Sequence, residues 1–251
     1  MDKKALLSTK LSEIMLDFNN QIKNIVALHP VPEVEQKADA TPVTKLDLAL
    51  SSLLEQMGRD KFPNTTIYSE ENFCDFKFPL LAIDPLDGTK EYILNRPEWA
   101  ISIGYFQQNN WQGEGWIYNP LTDEIFDENL VLRRFVEKPN YVGEVSHSEW
   151  EKGYYKNFKT EKYLISPKGS IAYKLGRLAS GKSDFVISLT PKNIWDIAGG
   201  TLLCEKHGIN FYSQGKRVTN VQETYLPPLI WCFSEISDEL LSIFCSPDTN
   251  P

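Results

Sequence analysis

Two carboxylates three residues apart, Asp84 and Asp87, follow an apolar run at Phe78 to Ile83. The run predicts a buried strand, and Pro85 predicts that the strand ladder stops and the chain turns. Carboxylates on a tight turn can face one point, and hard oxygen ligands of this kind suit Mg²⁺. The backbone carbonyl of Leu86, between them, is a further candidate ligand. This stretch therefore indicates a divalent metal site at a strand end.

Gly88 and Thr89 come directly after these carboxylates. Gly88 permits a close approach of the backbone to a ligand, and the amides that follow, at a predicted helix start, would point at a phosphate. Metal and anion would then share one turn. An ordinary Asp-Pro and Asp-Gly surface turn explains the same residues, and this stretch alone leaves both interpretations open.

Two further acids, Glu70 and Glu71, follow a second strand-like run at Thr65 to Tyr68. Adjacent carboxylates repel each other unless a cation lies nearby, and a metal would relieve that repulsion. A solvated loop explains the pair about as well. Taken singly, these two residues do not decide between ligation and solvation.

Asp196 and Asp47 lie at the starts of predicted helices. Gly199 and Gly200, just after Asp196, allow another element to pack closely against that helix. An N-cap role explains Asp196, and the spacing of Asp47 from Thr44 is that of a capping box. Without further context, both aspartates are interpreted as structural.

The remaining pattern places these residues among helices and strands. Apolar spacing predicts an amphipathic helix within residues 5–28, then a loop or flap from His29 to Pro42, then a helix from Thr44 to Met57. Trp99 to Phe126 alternates apolar and polar residues, which predicts an antiparallel meander. A second α/β half is predicted beyond about residue 130, with a strand at Tyr163 to Ser166, a helix at Ala172 to Ser180, a strand at Phe185 to Ser188 and a helix at Ile197 to His207.

Composition limits the classes of partner. The 251 residues are enough for a sizeable core, and the net charge of −8 disfavours nucleic acid polymers. An acidic protein can act on a small anion if metal ions reverse the local field.

The four cysteines show no paired spacing, which predicts reduced thiols. The chain shows no signal-peptide pattern and no apolar stretch that approaches a membrane span, so we expect a cytoplasmic protein with no membrane partner.

Four segments of the chain, taken together, resemble the inositol monophosphatase superfamily of lithium-sensitive phosphatases, over about residues 37 to 219. They are Pro42-Val43-Thr44 with Asp47, Ser69-Glu70-Glu71, Asp84-Pro85-Leu86-Asp87-Gly88-Thr89 and Trp195-Asp196-Ile197-Ala198-Gly199. The resemblance implies a layered αβαβα sandwich of the inositol monophosphatase and fructose-1,6-bisphosphatase type. It also implies a half at 1–128 that carries most metal ligands, a half at 129–251 that completes the metal and substrate site, and a homodimer.

The resemblance assigns roles to these residues. The hydroxyl of Thr89, hydrogen-bonded to Asp47, is expected to orient the attacking water, and the amides of Gly88 and Thr89 to bind phosphate oxygens. Two or three Mg²⁺ ions are expected on Glu70, Asp84, Asp87, Asp196 and the Leu86 carbonyl. Glu70 is counted among the catalytic residues as well as among the ligands.

The turn that opens the next helix is a candidate for the rest of the substrate. A Gly-Ser turn at Gly169 and Ser170, with Lys174 one helical turn later, suits a second anion, although an ordinary helix start explains it equally well. His147 and His207 are interpreted as structural, because the implied reaction needs neither as a base.

Within the superfamily, the bisphosphate nucleotidase branch is the most similar. That branch removes the 3′-phosphate of 3′-phosphoadenosine 5′-phosphate. The similar segments are Asp87-Gly88-Thr89-Lys90-Glu91-Tyr92, Pro191-Lys192-Asn193-Ile194-Trp195-Asp196, Lys37-Ala38-Asp39, Asn119-Pro120 and Gly169-Ser170 with Lys174. The chain departs from the branch at Glu144-Val145-Ser146-His147 and at Ser188-Leu189-Thr190, where arginines are often found.

The sequence therefore predicts a Mg²⁺-dependent phosphomonoesterase, with 3′(2′),5′-bisphosphate nucleotidase activity as the first expectation. Inositol monophosphatase or another sugar-phosphate phosphatase activity is the first alternative, because it would use the same carboxylates. A catalytically inactive metal-binding regulatory protein is the second. Loss of the catalytic acids would favour that second alternative, and all of them are present.

Overall fold

The computed structural model describes residues 10–36, 42–70, 75–158 and 160–245. The helices in these ranges are α1 Leu11–Leu28, α2 Lys45–Lys61, α3 Thr89–Ile93, α4 His147–Glu151, α5 Ile171–Ala179, α6 Ile194–Lys206 and α7 Ser237–Phe244, with a 3₁₀ turn at Ser234–Ile236. The strands are β1 Val34–Gln36, β2 Pro42–Thr44, β3 Thr66–Ser69, β4 Leu80–Asp87, β5 Ala100–Phe106, β6 Gly113–Asn119, β7 Glu124–Phe126, β8 Tyr141–Val145, β9 Tyr163–Pro167, β10 Phe185–Ser188, β11 Lys192–Asn193, β12 Ile209–Ser213, β13 Lys216–Arg217, β14 Thr224–Tyr225 and β15 Leu229–Phe233.

The first large sheet has the strand order β3-β4-β5-β6-β7. Strands β3 and β4 are parallel, whereas the later neighbours are antiparallel. The antiparallel part is the meander that the alternating pattern from Trp99 to Phe126 predicts, and that prediction is confirmed. Because β3 and β4 run in the same direction, the acids that follow them lie at one edge of the sheet.

The second large sheet has the strand order β13-β12-β15-β10-β8-β9. The strands predicted at Tyr163 to Ser166 and Phe185 to Ser188 are confirmed as β9 and β10. Strands β8, β12 and β15 are absent from the sequence predictions. Gly143 and Glu144 interrupt the apolar residues of β8, the alternation of β12 ends at Tyr212, and β15 is a continuous apolar run, so none of them shows a clean alternation.

Helices separate and cover the two sheets. Helices α1 and α2 pack on one face of the first sheet, and α5 and α6 lie between the two sheets. Helix α7 packs on β15, on the outer face of the second sheet. Three apolar clusters fill the spaces between these layers, and the central cluster contains residues of both sheets. The result is the layered αβαβα sandwich that the resemblance implies.

Helix α6 approaches the first sheet closely because small residues face each other there. An added Cβ at Gly199 would lie 2.8 Å from the Ile103 carbonyl oxygen, and one at Gly104 would lie 2.5 Å from the Ala198 Cβ. On the neighbouring helix α5, Leu175 lies 2.3 Å from the position of a Cβ at Gly200. The close packing expected of Gly199 and Gly200 is confirmed, and it fixes the start of α6 against the sheet.

Several predicted boundaries need correction. The segment from His29 to Pro42 is not all loop, because β1 pairs with β2 in an antiparallel ladder. Helix α6 begins at Ile194, three residues before the predicted start, and α2 extends to Lys61. Within residues 5–28, the described helix begins at Leu11, and residues 1–9 lie outside the described ranges.

The division into halves at residue 128 stays a prediction, since the central apolar cluster joins elements from both sides of it. Among the described residues, none of the helices combines the length and apolar character that a membrane crossing requires.

Candidate active site

The carboxyl ends of β3 and β4 bring two of the predicted acids to one edge of the first sheet. Glu70 follows the last residue of β3, and Asp84 lies near the end of β4. The Asp84 side chain is only 4% exposed, which is rare for an aspartate. Glu71 and Lys37-Ala38-Asp39 lie outside the described residues.

Strand β4 bends at its acidic end instead of stopping at Pro85. Asp84 pairs with Ser102 and Asp87 with Ala100, so the register shifts by one residue between them, as in a β-bulge. The prediction that the ladder ends at Pro85 is therefore wrong, because β4 resumes and ends at Asp87. Asp84 Oδ1 accepts a hydrogen bond of 3.0 Å from the Leu86 amide, which fixes the bulge.

The turn after Asp87 requires a glycine. Gly88 has φ of +98°, in the left-handed region, and Thr89 begins the short helix α3. A Cβ at Gly88 would lie 3.2 Å from the Cβ atoms of both Ser170 and Trp99. The turn thus lies directly beside the residues that open α5.

Asp87 is held by that opening of α5. Its Oδ2 accepts a hydrogen bond of 2.6 Å from the Ala172 amide and another from the Ser170 hydroxyl. The Ser170 oxygen in turn accepts from the Tyr173 amide at 2.9 Å, as an N-cap. A ligand predicted from the first half of the chain is therefore oriented by residues of the second half.

Asp196 comes from the first turn of α6. The N-cap of α6 is Asn193, so the interpretation of Asp196 as the N-cap is wrong, and Asp196 is the third helical residue. Its Oδ2 accepts a hydrogen bond of 2.8 Å from the Asn193 amide. Each of these three aspartates thus has at least one carboxylate oxygen bound to a backbone amide.

The four acids Glu70, Asp84, Asp87 and Asp196 act on one another electrostatically. Burial raises the pKa of Asp84 well above its usual range, and the charges of Asp87, Asp196 and Glu70 raise it further. Burial raises the pKa of Asp196 to about 7, while Lys192 opposes the rise and Asp87 and Glu70 add to it. The structure therefore brings together the four carboxylates that the sequence predicts as metal ligands.

The donor set fits a hard divalent cation. In the described ranges, no three His, Cys, Asp or Glu side chains are arranged so that they could hold a metal ion as they stand. The charges of the other three acids nevertheless raise the pKa of Asp84, and those of Asp87 and Glu70 raise the pKa of Asp196, a cost that a cation would relieve. Their oxygens, with the Leu86 carbonyl, are the type of ligand that Mg²⁺ prefers, and the set includes no thiol or imidazole.

Asp47 and Thr89 form a pair beside these carboxylates. The Thr89 hydroxyl lies 3.1 Å from Asp47 Oδ1 and 3.3 Å from the Leu86 carbonyl oxygen. Asp47 Oδ2 accepts from the Thr44 amide at 2.8 Å and from the Thr44 hydroxyl. The predicted capping box is confirmed, and the same aspartate uses its other oxygen to hold Thr89.

A cavity of about 260 Å³ opens beside Asp87 and Gly88. Its walls contain the predicted substrate residues Gly169, Ser170 and Lys174, together with charged residues for which the sequence analysis proposed no role: Glu91, Glu149, Lys152 and Lys192. Lys174 is 2% exposed, and its ammonium donates to the carbonyls of Lys168, Gly169 and Ser170 at 3.1, 3.4 and 2.9 Å. Those bonds hold the Gly-Ser turn, and a direct role of Lys174 in substrate binding stays a prediction.

Glu98 is another residue without a role in the sequence analysis. Its carboxylate accepts from the Gly169 amide at 2.8 Å and from Lys168 Nζ at 3.0 Å, and it lies 2.7 Å from His147 Nε2. Although partial burial opposes the change, these bonds hold the pKa of Glu98 down at about 2. Glu98 thus anchors the Gly169–Ser170 turn to the first half, and no local spacing in the sequence indicates this.

The two histidines have structural partners. His147 is paired with Glu98, and His207 Nδ1 accepts from the Arg133 amide at 2.9 Å. His207 is 3% exposed, and burial lowers its pKa. Trp195 packs against Tyr68 with ring centroids 5.5 Å apart, beside β3.

The sequence model of the Inositol monophosphatase family matches residues 10–227. The chain therefore belongs to the inositol monophosphatase family, whose members are metal-dependent phosphomonoesterases acting on small phosphorylated substrates.

Individual relatives and solved structures agree with this assignment. The 3′(2′),5′-bisphosphate nucleotidase CysQ of Haemophilus influenzae is 28% identical over 239 residues, which cover 84% of this chain and 87% of the relative. An IMPase of Thermotoga maritima has the same fold with a TM-score of 0.75 and 22% identity, over 90% of this chain and 95% of that one. A staphylococcal inositol monophosphatase-1, solved as a LiCl-soaked inhibitory complex, matches with a TM-score of 0.77 and 16% identity over 96% of both chains.

Proposed function

We propose that this chain is a Mg²⁺-dependent phosphomonoesterase that hydrolyses the 3′-phosphate of 3′-phosphoadenosine 5′-phosphate. One observation carries the proposal: the Thr89 hydroxyl lies 3.1 Å from Asp47, beside a group of four acids whose charges raise the pKa of Asp84 and Asp196. Purely structural packing gives no reason to gather like charges in a partly buried site, because unpaired buried charges are costly. A hydrolytic metal site gives that reason.

The residues that would hold the metal are Glu70, Asp84, Asp87, Asp196 and the Leu86 carbonyl. Mg²⁺ bound there would polarise the phosphate ester, lower the pKa of a bound water and neutralise charge on the leaving oxygen. Asp87 would be oriented for this by its bonds to Ser170 and Ala172, and Asp84 by its bond to the Leu86 amide. Holding one carboxylate oxygen in a hydrogen bond directs the other towards a ligand.

Thr89 and Asp47 would orient the water. When the Thr89 hydroxyl donates a hydrogen bond to Asp47, its lone pairs point away from Asp47 and can accept a hydrogen bond from a water molecule. Asp47 cannot swing away, because Thr44 and the start of α2 hold its other oxygen. The pair thus presents a fixed acceptor to the attacking water.

The rest of the substrate would lie in the cavity beside Gly88. Amides of Gly88 and Thr89 are proposed to bind oxygens of the reacting phosphate, as the family resemblance implies. The nucleoside would extend past Gly169 and Ser170, which line the same cavity. The choice of a nucleoside bisphosphate rests on the curated relatives whose names state that activity.

The test is a phosphate-release assay with 3′-phosphoadenosine 5′-phosphate, inositol 1-phosphate and fructose 1,6-bisphosphate, each with Mg²⁺ and with or without Li⁺. We expect the nucleotide to have the highest kcat/KM, and Li⁺ to inhibit its hydrolysis. Preference for either sugar phosphate would overturn the substrate assignment but keep the phosphatase. Release from none of the esters would favour a non-catalytic, metal-binding role.

The homodimer that the family resemblance implies and the cytoplasmic location expected from the sequence pattern remain proposals. Light scattering of the purified protein would test the first, and a particle near twice the chain mass of 28.7 kDa is expected.

A further inference from the structure

Two lysines in the wall of the active-site cavity have no carboxylate partner among the residues that the structure describes. Lys152 directly follows α4, and Lys192 lies on β11. In the ranges that the structure describes, neither ammonium lies within 4.0 Å of a carboxylate oxygen. The Lys152 ammonium lies 5.9 Å from the Tyr154 ring centroid, a contact that leaves its charge unneutralised.

Lys192 is held in place by a buried network. Its Nζ donates to the Thr190 hydroxyl oxygen at 3.1 Å, and that hydroxyl donates to Glu149 Oε1 at 2.9 Å. The same Glu149 oxygen accepts from the Ser188 hydroxyl at 3.0 Å and from the Leu189 amide at 2.9 Å. Glu149 is 1% exposed, so it fixes the Ser188–Thr190 loop from inside the protein.

This network fixes the position of Lys192 without occupying all of the hydrogen-bond donors of its ammonium group. An ammonium has three donors, and among the described residues the partners of Lys192 are the Thr190 hydroxyl and, at a long 3.4 Å, the Pro191 carbonyl. Within that described part of the chain, these bonds leave at least one donor of Lys192 unused and no carboxylate neutralises its charge. Lys174, in the same wall, differs because its three donors all go to backbone carbonyls.

Of the three acids in the cavity wall, Glu149 and Asp87 are bound to other partners, and Glu91 lies within 4.0 Å of neither ammonium among the described residues. Glu149 Oε1 accepts the bonds described above, and its Oε2 accepts from the Tyr155 hydroxyl at 2.5 Å. Asp87 is committed to Ser170 and Ala172 and is a proposed metal ligand. Lys192 lines the same cavity as Asp87 and Gly88, which places it beside the proposed reacting centre.

We propose that Lys152 and Lys192 bind the second phosphate of the substrate, the one that is not hydrolysed. The proposal rests on the proposed nucleotidase function and identifies the residues that select a bisphosphate over a monophosphate. Two ammonium groups on separate elements, one of them preorganised, can share the oxygens of one phosphate. Lys152 and Lys192 are specificity-determining residues for that group.

The test measures binding of adenosine 5′-monophosphate, which has only the second phosphate, by calorimetry in the presence of Mg²⁺. The variants are K192M, K152M, the conservative K192R, and K216M as a control that removes an exposed lysine on β13 outside the cavity lining. Hydrogen bonds to charged groups predict that K192M and K152M each weaken binding by about tenfold or more. We expect K192R to keep most of the affinity and K216M to bind like the wild type.

Two results would overturn the inference: wild-type protein that does not bind the nucleotide, or K192M and K152M that both bind it as tightly as the wild type. Hydrolysis of 3′-phosphoadenosine 5′-phosphate is measured on the same samples. If the wild type hydrolyses it and lysine removal leaves binding unchanged, the inference alone fails. If hydrolysis is absent while binding depends on the lysines, the proposed reaction fails and the anion site stands.

Discussion

Removal of the Thr89 hydroxyl tests whether its hydrogen bond to Asp47 contributes to the proposed hydrolysis. The Thr89→Val variant keeps the shape of the side chain and removes the donor that lies 3.1 Å from Asp47 Oδ1. Hydrogen bonds to charged groups are worth about 1.5–3 kcal/mol. At about 1.36 kcal/mol per factor of ten, the expected loss in kcat is roughly 10- to 150-fold.

A double-mutant cycle separates this bond from general damage. Asp47→Asn removes the charge of the acceptor, and the double variant removes both groups. Because Asp47 also accepts from the Thr44 amide at the start of α2, Asp47→Asn is expected to cost about 1 kcal/mol of stability as well. Thr89→Val leaves that cap intact, but it removes a bond to the buried Asp47 and is expected to lower stability by about 1–3 kcal/mol.

The assay is single-substrate kinetics at saturating Mg²⁺, with thermal unfolding of each variant. Thr89→Ser, which keeps the hydroxyl, is the matched control and should stay within about tenfold of the wild type. If the two groups act as one unit, the double variant is no slower than the slower single variant. Fully multiplicative losses, or a Thr89→Val enzyme with wild-type kcat, would refute the reasoning.

Three further predictions concern stability. In EDTA, the free energy of unfolding should fall as pH rises from about 4 to about 7. Burial raises the folded-state pKa of Asp196 from 3.8 to about 7, so ionisation in this range favours the unfolded chain. Added Mg²⁺ should reverse the fall, and a free energy of unfolding that does not change with pH in EDTA would contradict this prediction. Gly199→Ala should lower the free energy of unfolding by about 1–3 kcal/mol, because the new Cβ would lie 2.8 Å from the Ile103 carbonyl oxygen. An unchanged midpoint of the denaturant unfolding curve would show that α6 can shift to accommodate the methyl group. Glu98→Gln should destabilise the protein at pH 7 through the loss of its bonds to the Gly169 amide and Lys168. Because the folded-state pKa of Glu98 is about 2 and its usual value is 4.5, the difference from wild type should narrow as pH falls from about 4.5 towards 2, and a constant difference would contradict the assignment.

Local sequence signals are sufficient to predict a site residue where one short segment contains both the acidic residue and the strand or helix that positions it. Asp84 and Asp87 end a strand whose residues are almost all apolar, and Asp47 lies at a capping-box spacing, so short windows of sequence contain both features. The position of Asp196 on α6 was missed because Asn193, a good N-cap, starts the helix one turn earlier. The sequence predicts only two strands of the second sheet, since β15 pairs with β10 and β12 across long stretches of chain.

The residues that shape the cavity could not be predicted from spacing, since their partners are distant in the chain. Glu149 holds a loop 40 residues later, and Glu98 holds a turn 71 residues later. A single buried glutamate in a sequence looks like any exposed one until its partners are known. The unneutralised charge of Lys192 could not be predicted for the same reason, because it depends on which carboxylates the fold places near the ammonium group.

Metal-dependent phosphate release by the wild type and Asp84→Asn, side by side, tests the central claim most directly. The assay uses 3′-phosphoadenosine 5′-phosphate and a titration from EDTA to saturating Mg²⁺. We expect release by the wild type only with Mg²⁺, and a loss of most turnover in Asp84→Asn at every Mg²⁺ concentration, because Asp84 is the most deeply buried of the proposed carboxylate ligands. Wild-type turnover in Asp84→Asn at saturating Mg²⁺, or equal turnover in EDTA, would contradict the assignment of these carboxylates as the metal site.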